Sequence, residues 1–141
     1  MNMKNQEPGN MAKKKIIVVE DEFLIALDIK ERVEDFGYEV LNLVDSGEKA
    51  IEKAEEMRPD LVLMDIGLKG KINGAEAARE ILSRFHIPVI FITAHSDEET
   101  LRNLREISPF GCFTKPLDGF KLHEKMDEVL SKSFNGAIQY D

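Results

Sequence analysis

Five polar positions stand where short apolar runs end. Glu20 and Asp21 follow KIIVV, Asp65 closes DLVLMD, Thr93 follows PVIFI, and Lys115 with Pro116 follows FGCFT. Brought together, three carboxylates repel one another and must recruit a cation or a proton. Oxygen-only donors suit Mg²⁺ or Mn²⁺ with waters in the open positions. No His or Cys falls in the set, which argues against zinc. A lysine adds a compact positive charge with three donors, and a threonine hydroxyl adds one more hydrogen bond. Acids, divalent metal, lysine and hydroxyl together describe a site for a phosphoryl group. One carboxylate would accept it as nucleophile, while metal and lysine neutralise its peripheral oxygens.

Those residues meet only if the chain alternates strands and helices. Residues 15–20, 38–44, 60–65, 88–92 and 110–114 are short apolar runs of the kind buried on both faces of a parallel sheet. Between them the apolar spacing is helical. Ala26, Ile29, Val33 and Phe36 form one stripe, and Ala50, Ala54 and Met57 a weaker one. Ala78, Ile81, Leu82 and Phe85 form a third, Leu101, Leu104 and Ile107 a fourth, and Leu122, Met126, Val129 and Leu130 a fifth. Ser46, Asn73, Asp97 and Asp118 stand at expected helix starts, and Gly37 at a helix end. Pro59, Pro88 and Pro109 lie just before or at strand starts. Five such units predict an α/β flavodoxin-like fold, a doubly wound five-stranded parallel sheet of order 2-1-3-4-5 with five helices. In that order strands 1 and 3 flank the switch point, where ligands of open sheets bind.

The chain has 141 residues, 43% of them hydrophobic and 33% charged, which predicts one soluble domain. Residues 1–12 are expected to be a flexible leader, 13–132 the domain, and 133–141 a tail or linker stub. The net charge of −8 disfavours direct nucleic-acid or membrane binding. The lone Cys112 excludes an intramolecular disulfide and fits a reducing cytoplasm. No apolar run is long enough to span a bilayer.

The segments VVEDE at 18–22, LVLMDIGL at 61–68, FITAHSDEE at 91–99 and GCFTKPLD at 111–118, in that order and spacing, resemble the response-regulator receiver domain of two-component signalling. The resemblance covers residues 15–132. It implies that Asp65 is phosphorylated by a sensor histidine kinase or phosphotransfer protein. It also implies that Glu20 and Asp21 hold Mg²⁺ with Asp65 and the Gly67 carbonyl, that Thr93 reports phosphorylation, and that Lys115 binds the phosphoryl group. Ala94 matches a small residue that leaves the phosphate accessible. Such a module is a switch rather than an enzyme, though it assists its own phosphorylation and slow dephosphorylation. The output partner would dock on helix 4, strand 5 and helix 5, with the protein a monomer or a phosphorylation-dependent dimer.

Three departures from the family pattern matter. Cys112 stands three residues before the lysine, where an aromatic is usual, and Phe113 is expected to face the other way. Leu68 and Lys69 replace a frequent Met-Pro pair. Gly74 comes nine rather than eight residues after Asp65, so loop 66–73 is one residue longer. Cys112 itself reads most simply as a small buried hydrophobe. His86, His95 and His123 are expected on loops or helix surfaces, with His95 near the site. A strand-end Lys115 is expected to contribute little to folding.

Other readings are weaker. A phosphoaspartate-forming phosphatase of the haloacid dehalogenase type wants a second Asp two residues after its nucleophile, and Gly67 stands there. A flavodoxin-like cofactor binder would need a Ser/Thr/Gly loop where Glu20-Asp21-Glu22 would repel phosphate. A degenerate receiver serving only as a protein-binding module would not need the complete acid, threonine and lysine set.

Overall fold

A computed structural model describes residues 12–68, 70–94, 97–108 and 110–132. The expected leader before Ala12, the tail after Lys132, and Lys69, His95 and Pro109 lie outside the described residues.

The strands are β1 (Lys15–Val19), β2 (Glu39–Val44), β3 (Leu61–Asp65), β4 (Val89–Thr93) and β5 (Cys112–Thr114). The helices are α1 (Phe23–Asp35), α2 (Gly47–Met57), α3 (Gly74–Phe85), α4 (Glu98–Ile107) and α5 (Gly119–Lys132). The sheet is parallel throughout, in the order β2-β1-β3-β4-β5. This is the flavodoxin-like arrangement expected from the sequence.

Alternation along the central strands builds two separate cores. Ile17, Val19, Val62, Met64, Val89 and Phe91 point to the face covered by α2, α3 and α4. Ile16, Val18, Leu61, Leu63, Ile90 and Ile92 point to the face covered by α1 and α5. Every residue of β3 and β4 is buried. Each fully buried Leu, Ile or Val there contributes about 1.5–3 kcal/mol relative to exposure, so these strands anchor everything attached to their ends.

The helix signals hold well. Ser46 Oγ accepts from the Lys49 N–H at 3.1 Å, and Asp97 accepts from Thr100 at 3.0 Å. Asn73 and Glu76 form a reciprocal capping box. Asp118 Oδ1 accepts from the Lys121 N–H at 3.2 Å. Gly37 follows α1 at φ +103°, a conformation that favours glycine.

Two details differ from the sequence reading, and a third lay outside it. The α2 stripe buries Ala50 and Ala54 but leaves Met57 36% exposed, because the helix turns that end outward. The fifth strand is only three residues long, since Gly111 at φ +153° breaks the extended run before it. The β1–β2 register skips a residue: Ile16 pairs with Val40 but Ile17 with Asn42, which leaves Leu41 as a bulge on an edge strand.

Candidate functional site

Strands β1 and β3 are neighbours, yet α1 leaves β1 toward one face and α3 leaves β3 toward the other. The chain therefore parts above their carboxyl ends and a cleft opens there. The cleft is about 220 Å³ and is lined by Glu20, Asp21, Glu22, Asp65, Gly67, Thr93, Ala94 and Lys115. All six sequence-predicted site residues thus come together.

Each is positioned by the sheet. The Glu20 N–H donates to the Val44 carbonyl at 2.9 Å, which continues the β1–β2 pairing one residue past β1. Asp65 is the last residue of the buried β3 and is itself 7% exposed. The Lys115 N–H donates to the Thr93 carbonyl at 2.8 Å, which sets the lysine beside the end of β4. Thr93 is fully buried at the cleft floor, and the small, exposed Ala94 leaves the space above it open. The Lys115–Pro116 peptide bond is cis. Close backbone approach then fixes the loop after β3. A Cβ on Gly74 would lie 2.2 Å from the Asp65 carbonyl oxygen, so only glycine fits.

Charge dominates the cleft. Ligand oxygens of Glu20, Asp21 and Asp65 lie within 4.8 Å of one another. Lys115 Nζ sits 2.9 Å from Glu20 Oε1 and 3.9 Å from Asp65 Oδ1. The Glu22 N–H donates to Glu20 Oε2 at 3.1 Å, and the Gly67 N–H to Asp65 Oδ1 at 3.2 Å. Burial pushes the Glu20 carboxyl up, against the Lys115 and Glu22 hydrogen bonds that pull it down. Burial alone would lower the Lys115 ammonium. The Glu20 hydrogen bond and the fields of Asp65, Glu20 and Glu22 outweigh it, so the group is held above its ordinary value and stays charged.

Three carboxylate donors at this spacing, with no histidine or cysteine among the residues lining the cleft and the one side-chain nitrogen a charged lysine, fit a hard divalent cation. The sequence reading used Glu22 only as part of a motif. Its amide braces Glu20 and its carboxylate adds to the field on Lys115. Its place directly after two acids was the available signal.

The residues around the cleft also settle two orientations. Cys112 packs on the α2–α3–α4 side and Phe113 on the α1–α5 side, as alternation requires. His86 is the exposed left-handed cap of α3. His123 is more engaged than a plain surface histidine, stacking on Phe36 with centroids 4.2 Å apart and approaching Asp127 at 3.5 Å.

A doubly wound sheet with acids at the ends of β1 and β3, a threonine after β4 and a lysine after β5 is the arrangement of the receiver class of signalling domains. A profile of the response regulator receiver domain matches residues 16–127. The chain belongs to that family. It is 33% identical over 103 residues to the transcriptional regulatory protein PdtaR of Mycobacterium tuberculosis, covering 73% of this chain and 50% of PdtaR. The chain thus spans about half the length of that relative. The receiver domain of a modulated diguanylate cyclase from Desulfovibrio desulfuricans superposes with a TM-score of 0.79 at 35% identity, covering 86% of this chain and 96% of that one. The receiver domain of the sensor histidine kinase PA1611 from Pseudomonas aeruginosa superposes at 0.76 with 28% identity, covering 85% and 99%, and carries a magnesium ion in its active-site cleft.

Proposed function

We propose that this protein is a phosphorylation-dependent switch in which Asp65 accepts a phosphoryl group from the phosphohistidine of a sensor histidine kinase or phosphotransfer protein. An Asp65 carboxylate oxygen forms the new O–P bond as the N–P bond breaks, and the electron pair returns to the donor imidazole. The observation that carries the reading is the convergence of Lys115 and three acids on one small cleft whose floor is Thr93.

Glu20, Asp21 and Asp65, with the Gly67 carbonyl, would hold Mg²⁺ or Mn²⁺, which supplies charge neutralisation at the phosphoryl oxygens. The chain's own groups do the rest. Lys115 turns from Glu20 toward the incoming oxygens, and its raised proton affinity keeps it cationic while it does so. Thr93 offers its hydroxyl to one of those oxygens. Ala94 leaves the approach open. The output is a change in partner binding at the surface of α4, β5 and α5, and the setting is the cytoplasm. Where the relatives continue beyond the matched region, an output domain in the same polypeptide is the natural recipient of the change.

Incubation with acetyl phosphate and Mg²⁺, followed by intact mass, tests this. One phosphoryl group adds about 80 Da. Asp65→Asn and excess EDTA should each remove that gain. Modification that persists in Asp65→Asn would refute the assignment.

A further inference from the structure

The loop between β3 and α3, residues 66–73, carries Gly67 and is tied to a helix outside the cleft. The Lys71 N–H donates to Glu48 Oε2 at 3.2 Å, across 23 residues of sequence. Gly70, at φ +110°, packs against the same carboxylate, and a Cβ there would lie 3.5 Å from Glu48 Oε1. One residue earlier in α2, a Cβ on Gly47 would lie 2.6 Å from the Ile72 carbonyl oxygen. The N-terminus of α2 is already capped by Ser46, so the Glu48 side chain is spared that task.

The two halves of the loop are anchored differently. In the first half, Leu68 is buried in the core. In the second half, residues 70 and 71 are exposed and held by the Glu48 carboxylate. With Gly67 and Gly70 in one short segment, the backbone is intrinsically permissive, so this tether narrows what the loop can sample.

We infer that Glu48 is a positioning residue for the cleft: by accepting from Lys71 it holds the β3–α3 loop, and with it the Gly67 carbonyl, where that carbonyl can serve the metal. The inference rests on the reading of Glu20, Asp21 and Asp65 as a metal site. Glu48 acts through hydrogen-bond geometry rather than charge. Glu48→Gln, which keeps an acceptor oxygen at the same reach, should therefore behave like the wild type. An exposed hydrogen bond adds little to global stability. Loss of the tether should show instead in metal affinity, because ligand groups must be held within about half an ångström of their working geometry.

The test uses the full chain, stripped of metal, with Mn²⁺ alone as probe. Mn²⁺ binding is titrated by electron paramagnetic resonance, Lys71 amide exchange is followed by NMR, and the metal-free melting temperature is recorded. Glu48→Ala should expose the Lys71 amide and weaken Mn²⁺ binding by about 3- to 10-fold, the effect of losing one modest hydrogen bond. Its metal-free melting temperature should stay near that of the wild type, and Glu48→Gln should restore affinity. Unchanged Mn²⁺ affinity in Glu48→Ala would overturn the inference while leaving the acid site intact. So would a Glu48→Gln variant as weak as Glu48→Ala, which would make the effect one of charge. Failure of the wild-type protein to bind Mn²⁺ at all would overturn the inference and the metal site together.

Discussion

Replacing Lys115 with methionine keeps the aliphatic stem and removes the charge, which isolates what the ammonium does before any phosphate arrives. Its Nζ sits 2.9 Å from a carboxylate oxygen of Glu20, whose side chain is only 1% exposed. Without the lysine, that carboxylate keeps the Glu22 amide but loses its cation and faces Asp65 unscreened. A buried hydrogen-bonding group deprived of its partner costs about 1–3 kcal/mol, and more if it must stay charged. The lower half of that range applies, because the cleft is open to water and Glu20 can take up a proton. A loss of that size lowers the melting temperature by about 5 °C in a domain of this length.

The pH dependence gives the sharper test. The folded-state value for Glu20 is already above its unfolded value of 4.5, and losing Lys115 raises it further. An acid raised on folding binds more protons native than unfolded, so its contribution to stability falls as pH climbs from the unfolded toward the folded value. The raised Lys115 has the same sign in the wild type but acts in a far more alkaline window. Its contribution is fully present below the unfolded value of 10.5 and fades only as pH passes its folded value. In EDTA, therefore, wild type and Lys115→Met should melt close together near pH 4.5 and diverge steadily toward neutrality. Mg²⁺ should then narrow the neutral-pH gap, since a divalent cation restores the missing positive charge. Calorimetric scans from about pH 4.5 to 8 would read this, taking the carboxylate range as the window. A gap that stays constant with pH would show that the loss is one of packing and refute the electrostatic account.

Gly74→Ala should be among the most damaging small substitutions. The added Cβ meets the Asp65 carbonyl oxygen at 2.2 Å and the Ile66 Cα at 2.6 Å. Overpacking against backbone of this kind costs about 3 kcal/mol, and thermal melting would show it as a fall of about 10 °C or more; a variant melting like the wild type would contradict the close approach. Cys112 should react slowly with iodoacetamide at neutral pH and faster as pH rises, because burial pushes its thiol up and outweighs nearby Arg105. Mass spectrometry of the time course checks it, and alkylation as fast as free cysteine would count against the burial. Beryllofluoride with Mg²⁺ should shift NMR signals in the loops after β3 and β4 and leave the Cys112 side-chain rotamer in place, since a thiol has too little volume to follow Thr93 as a ring would. A rotamer change at Cys112 with strong shifts across β5 would show that the cysteine is itself the switch residue.

The parts legible in the sequence are those where one local rule decides the outcome. Strands β1, β3 and β4 read clearly because burial on both faces forces unbroken apolar runs. Ser46, Asn73, Asp97 and Asp118 read as caps because the short polar side chain serves its own helix. Glu20, Asp65 and Thr93 were legible because each falls at the end of such a run. What stayed hidden depends on partners far along the chain. Nothing local to Leu41 announces that β2 must skip a residue against β1. Met57 continues the α2 stripe in sequence, but the packing of α2 on α3 is carried by alanines, and the helix end leaves the core. The bond from Lys71 to Glu48 and the pairing of Lys115 with Glu20 join segments that share no local pattern. The sequence reading treated Lys115 as peripheral to folding, and the buried partner gives it a structural duty as well.

The Glu20–Lys115 hydrogen bond closes a span of 95 residues, and the cleft draws on the ends of β1, β3, β4 and β5. No fragment short of the assembled sheet contains it. Chemistry at this cleft is therefore conditional on tertiary structure being complete. A chain emerging from the ribosome, or one trapped with β5 undocked, holds its carboxylates in water as ordinary acids. In a mixed population, any covalent label taken up at Asp65 would count finished molecules one by one. The extent of labelling would then follow refolding directly and serve as a census of native chains where bulk spectroscopy gives only an average.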